Sequence, residues 1–163
     1  MKTKHLTQGA LFCALYVTLC HLQNLLLPGS TSYAIQVRVA EAMCVLALFS
    51  PAAIWGLTLG CLLFNLSFAA ALPLDIPLGT LASFLSLSGT YLLRNIKTKG
   101  FPLPALCMPV IGNALIVGGE LTYYFGGGFF LNAFYVAVGE AIAVFLLGSA
   151  LYAALRRTLW RLQ

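Results

Sequence analysis

Gln36-Val37-Arg38-Val39-Ala40-Glu41-Ala42-Met43-Cys44-Val45-Leu46-Ala47-Leu48-Phe49 decides how the rest of the chain is read. An arginine and a glutamate, three residues apart, open an otherwise apolar run. On a helix that spacing puts both side chains on one face. Charges enter lipid cheaply only where they face a bundle interior or a wet cavity, so the default reading of such a pair is functional. The alternative is an internal salt bridge that only fixes helix packing. The position of the remaining acids decides between them.

Composition sets the frame. The chain has 163 residues, 61% of them hydrophobic and 8% charged, with a mean hydropathy of +0.94. Soluble domains carry about a quarter charged residues, so this is an integral membrane protein. Strand alternation is absent, which argues against a barrel. The length suits a single transmembrane domain over 1–163 and leaves nothing for a soluble one. The formal charge of +5 does not imply nucleic acid, because the bases sit in short clusters at span ends. Cys13, Cys20, Cys44, Cys61 and Cys107 lie inside apolar runs without a C-x-x-C, and read as small packing residues.

Six spans are expected, at about 6–27, 36–49, 52–72, 78–93, 101–124 and 129–155, in an all-α six-helix bundle. The first begins after Lys2 and Lys4 and is too long, without a cleavage site, to be a signal peptide. It carries Ala10 and Ala14 four apart, the small-xxx-small spacing that lets another helix approach closely. The second is short and ends at Ser50-Pro51. The third places Thr58, Cys61 and Asn65 on one face. Pro73-Leu74-Asp75-Ile76-Pro77 forms a corner, with Asp75 expected to cap the third span. Pro102, Pro104 and Pro109 are expected to make the first half of the fifth span irregular. Asn113 and Glu120 share a face of that span, and Asn132, Val136 and Glu140 recur at four-residue steps in the sixth.

The bases fix orientation. With six spans and both termini cytoplasmic, every Lys and Arg except Arg38 lies inside, as the positive-inside rule demands. Arg38 is left on the outer side. The same topology puts Glu41, Asp75, Glu120 and Glu140 in the outer half, Glu140 deepest at roughly 17 Å along its helix. Four carboxylates with Arg38, Asn65 and Asn113 nearby suggest a polar cavity open to the exterior, suited to a cationic or donor-rich solute. His21 reads as hydrogen-bonded packing, Trp55 as structural, and Tyr123, Tyr124 and Tyr135 as an outer aromatic belt. No P-loop, H-E-x-x-H or G-x-S-x-G occurs, which weakens an ATPase or intramembrane-enzyme reading.

Several stretches resemble the QueT family of queuosine-precursor transporters. They are Ile35-Gln36-Val37-Arg38-Val39-Ala40-Glu41-Ala42, Phe49-Ser50-Pro51-Ala52-Ala53-Ile54-Trp55-Gly56-Leu57 and Gly60-Cys61-Leu62-Leu63-Phe64-Asn65-Leu66. Leu74 to Ala82, Asn113 to Leu121 and Val138 to Ile142 are similar too, so the likeness runs from about residue 7 to 150. The resemblance implies the substrate-binding (S) component of a bacterial energy-coupling-factor (ECF) importer in the cell membrane. It implies no cofactor in this chain, since ATP is used by two partner ATPase subunits. Ala10 and Ala14 would dock on the transmembrane scaffold subunit.

The implied cargo is 7-aminomethyl-7-deazaguanine or a close 7-deazapurine. A guanine-type edge offers two adjacent N–H donors to one carboxylate, and the aminomethyl group, an ammonium at neutral pH, needs another. Glu41, oriented by Arg38, and Glu140 are the expected acids, with Asn65 and Asn113 on the ring, Glu120 in reserve and Asp75 at the margin. The rivals are an S component for another vitamin or nucleobase, a small intramembrane enzyme, and a structural subunit without ligand.

Overall fold

Apolar runs punctuated by proline and glycine fold into six helical rods, seen in a computed structural model that describes residues 3–30, 37–68 and 71–160. Lys2, Arg161 and most of the 28–36 loop, including Gln36, lie outside the described residues. The rods are α1 (Thr3–Leu26), α2 (Val39–Leu48), α3 (Ala52–Ser67), α4 (75–92), α5 (Leu103–Phe125) and α6 (Phe129–Arg157, continuing to Trp160). α1, α5 and α6 are long and apolar enough to cross a membrane, and α2 and α3 are shorter apolar helices.

The surface is apolar and the interior polar. Leu6, Leu15, Leu22, Leu63, Leu85 and Leu115 are exposed, while Glu41, Asn65, Ser83, Ser86, Asn113, Glu120 and Glu140 are buried. Water-soluble folds distribute these residue types the other way. In hydrocarbon the arrangement is the economical one, because leucine is at home in lipid and carboxylates are not.

Packing partners fix the direction of each rod. Gly9 lies against Gly56, Tyr16 against Gly60, and His21 bonds Ser67, so α1 and α3 run parallel. Thr90 Oγ1 donates to the Ala105 carbonyl (3.0 Å) and Ser86 lies on Gly112, so α4 and α5 run antiparallel. Gly118 against Ala133 and Asn113 bonded to Glu140 make α5 and α6 antiparallel. A Cβ on Gly56 or Gly118 would overlap the facing backbone, so glycine is what permits both approaches.

α2 touches all five other rods, and seven of its ten residues are buried. It is wound as a 3₁₀ helix. At about 2.0 Å per residue, ten residues reach about 20 Å, against about 15 Å for an α-helix. A run too short to cross as an α-helix is thereby lengthened.

Three features differ from expectation. α3 ends at Ser67 rather than near 72, and Phe68 is extended. Asp75 opens α4 rather than capping α3: it begins a π-helical turn, Asp75–Gly79, that leads into Thr80–Leu92. α5 is continuous from Leu103 despite its prolines. Pro102 precedes it and Pro104 falls in the first turn, where a missing N–H is harmless. Only Pro109 removes an interior bond. α6 contains a second π-helical stretch, Ile142–Gly148. Gly126 and Gly127, with φ of 71° and 79°, make the α5–α6 turn, a backbone that glycine alone adopts freely.

Candidate functional site

Glu41 projects from α2 into the bundle and is 3% exposed. Its Oε1 accepts the Tyr16 hydroxyl from α1 at 2.5 Å, and its Oε2 accepts the Cys44 thiol at 3.2 Å. Three-residue repetition in a 3₁₀ helix stacks position 44 directly on 41, which is why the thiol reaches the carboxylate.

Arg38 lies three residues before Glu41, and its guanidinium shares the electrostatic neighbourhood of Glu41, Tyr16, Cys20 and Cys61. The residue stands just before α2 with an extended backbone (φ −90°, ψ 107°). Its carbonyl accepts the Glu41 N–H at 3.0 Å, while its Nε is buried without a partner. Glu41 is therefore hydrogen-bonded by Tyr16 and Cys44, two partners beyond the Arg38 that the sequence suggested. The guanidinium remains within electrostatic reach of Glu41, Glu120 and Glu140. Gln23 at the end of α1 positions this approach: its Nε2 donates to the Val37 carbonyl and its Oε1 accepts the Val39 N–H at 2.8 Å.

Glu140 comes in from α6. Asn113 Nδ2 donates to its Oε1 at 2.7 Å, and its Oε2 is buried without a partner. Glu41 is a near electrostatic neighbour of Glu140, and Cys44 lies close to both. Glu120, one helical face along from Asn113, is 2% exposed with neither carboxylate oxygen bonded. It faces Asp75. Asp75 is half-buried and held in place, since its Oδ2 accepts the Leu72 N–H and its carbonyl accepts Asn65 Nδ2, both at 2.8 Å. Asn65 thus reaches the site through Asp75.

The acids fall into two pairs, Glu41 with Glu140 and Glu120 with Asp75, with Arg38 within electrostatic reach of both and Asn113 bonded to Glu140. Every described Lys and Arg other than Arg38 lies at the opposite end of the bundle: Lys4 at the start of α1, Arg94, Lys97 and Lys99 between α4 and α5, Arg156 and Arg157 at the end of α6. Buried carboxylate oxygens without donors are strongly disfavoured. Both oxygens of Glu120 and one of Glu140 are in that condition. Among the described residues no group of His, Cys, Asp and Glu is arranged to hold a metal.

Other residues take the places expected for packing. His21 Nε2 lies 2.9 Å from Ser67 Oγ, and the ring meets Phe64 edge-on. Tyr124 accepts the Leu74 N–H, and Tyr123 is exposed. All five cysteines are free. Tyr16 and Gln23 were not legible as site residues, because their partners lie 25 and 14 to 16 residues away. Cys44 carried a signal in its spacing from Glu41, but that signal has meaning only once the helix is known to be 3₁₀.

Ala10 and Ala14 occupy another surface. α1 buries only Tyr16, Cys20 and Gln23, and its outer face joins α3 to line an apolar groove of about 760 Å³. Gly9, Ala10, Cys13 and Ala14 form one wall, and Trp55 and Gly56 belong to the other.

No curated protein and no solved structure matches the chain. The family model for the QueT transporter matches residues 6–157. That match takes in every rod and each acid of the site, and the chain belongs to the QueT transporter family: it is a membrane transporter and not an enzyme.

Proposed function

We propose that the chain is the substrate-binding S component of a bacterial ECF importer, and that it binds 7-aminomethyl-7-deazaguanine or a close 7-deazapurine from outside the cell. One observation carries this reading. In a transporter of the QueT family, both oxygens of Glu120 and one of Glu140 are buried with no donor. A ligand with a guanine-type N–H edge and an ammonium supplies what they lack. Arg38, Glu41, Asn65, Asp75, Asn113, Glu120 and Glu140 make up the site.

In this reading the chain is one multi-pass transmembrane domain with six spans and both termini in the cytoplasm. The alternating rod directions and the gathering of bases at one end support it. The chain itself needs no cofactor, because two partner ATPases use the ATP. The scaffold subunit docks at the α1–α3 groove through Ala10 and Ala14, whose small side chains let a partner helix approach.

The test is a binding titration of the purified chain with 7-aminomethyl-7-deazaguanine, its 7-cyano analogue and guanine. Tight binding of the amine and weak binding of guanine is the expected result. No binding of any of the three overturns the substrate assignment.

A further inference from the structure

The carboxylates of the site are not equivalent, and their existing partners sort them. Glu41 is already engaged on both oxygens, by Tyr16 and Cys44. Glu140 is engaged on one oxygen by Asn113 and free on the other. Glu120 is engaged on neither, although it is 2% exposed. The group it faces is another carboxyl, Asp75, which supplies no proton donor when ionised.

The opposition of Glu120 and Asp75 is built in. Tyr124, one turn beyond Glu120 on the same face of α5, accepts the Leu74 N–H at 3.3 Å and so pins the start of α4 to that face. Asn65 and the Leu72 N–H hold Asp75 from the other side. Asp75 is half-buried while Glu120 is enclosed, so the pair leads from the outer end of the bundle inward. Two carboxyls within hydrogen-bonding range of each other, with no donor supplied to Glu120, match a compact cation with several N–H donors. A primary ammonium has three.

We propose that Asp75 and Glu120 together form the ammonium subsite, that the free oxygen of Glu140 takes the heterocycle's N–H edge, and that Glu41 is a positioning residue locked away from the ligand. This rests on the functional reading above and departs from the sequence-based division, which gave both tasks to Glu41 and Glu140. The enclosed face of Glu140, deeper in the bundle and aligned by Asn113, suits a flat ring. The Asp75 side, nearer the exterior, suits a substituent projecting from it.

The experiment is a titration of the full chain in detergent with the aminomethyl ligand and with its 7-cyano analogue, which has the ring but no ammonium. Glu120→Gln and Asp75→Asn are each expected to weaken the aminomethyl ligand about 10- to 100-fold while leaving the cyano analogue nearly unchanged. Glu140→Gln is expected to weaken both ligands alike. Equal loss of both ligands in Glu120→Gln and Asp75→Asn, or no loss, overturns the subsite, as does an ammonium-selective loss in Glu41→Gln. Asp75, being half-buried, provides a second variant should Glu120→Gln not yield folded protein. If the wild-type chain binds the cyano analogue and the amine equally, the subsite fails and a deazapurine carrier survives. If it binds neither, the substrate reading fails and the subsite with it.

Discussion

Tyr16→Phe removes one oxygen atom and leaves the ring where it is, packed on Gly60. The lost group is the hydroxyl that donates to Glu41 Oε1 at 2.5 Å, both residues being buried. Glu41 then retains only the Cys44 thiol, a weak donor. Bonds to a charged acceptor contribute about 1.5–3 kcal/mol, and a buried acceptor left short of donors has a penalty in the same range. We expect a loss of about 2 kcal/mol, which for a chain of this size lowers the Tm by about 4–8 °C. Thermal unfolding in detergent, followed by intrinsic tryptophan fluorescence, reads it directly. A double-mutant cycle with Glu41→Gln assigns the effect, since paired residues couple by at least about 0.5 kcal/mol. A Tyr16→Phe melt within 1 °C of wild type (roughly 0.3–0.5 kcal/mol), or strict additivity with Glu41→Gln, would refute the lock.

Three further outcomes are expected. Gly56→Ala pushes a methyl group into the Gly9 backbone and should destabilise by about 1–3 kcal/mol in the same melt. Gly128→Ala, which meets nothing within 4 Å, should be close to silent, and equal melts for the two would sink the close-contact argument. Asn113→Ala strips Glu140 Oε1 of its donor; affinity for the aminomethyl and cyano ligands should fall together by about tenfold, and a loss confined to the amine would contradict the assignment. Ala10→Leu with Ala14→Leu fills the α1–α3 groove. Co-purification with the proposed scaffold and ATPase subunits should be lost and ligand binding kept, whereas retention of the complex would place the docking face elsewhere.

Much of this architecture was legible from hydropathy and punctuation. Each rod begins or ends at a proline, glycine or basic cluster, and the burial of Thr58, Cys61 and Asn65 follows from their spacing on an α-helix. The pairing of Glu41 with Glu140 and of Asp75 with Glu120 is compatible with the heights that alternating rods give them. What the sequence hid was the winding. Nothing in Val39–Leu48 distinguishes a 3₁₀ from an α-helix. The proline-rich start of α5 misled in the other direction, as two of its prolines precede or open the helix. Tyr16 escaped because its role is defined by a partner on another rod.

The π-helical stretch in α6 has a consequence for how such a chain can change. It accommodates more residues per turn than the α-helix on either side, so the two ends of α6 need not keep a common phase. Above it stands Glu140; below it, Tyr152 packs against Phe49 and Phe101. Deleting one residue between 142 and 148 would offset one end by about 100° relative to the other, a rotation that cysteine accessibility along 149–157 would read. The π-helical stretch of α6 thus sets the phase of its Glu140 end independently of the end seated on Phe49 and Phe101.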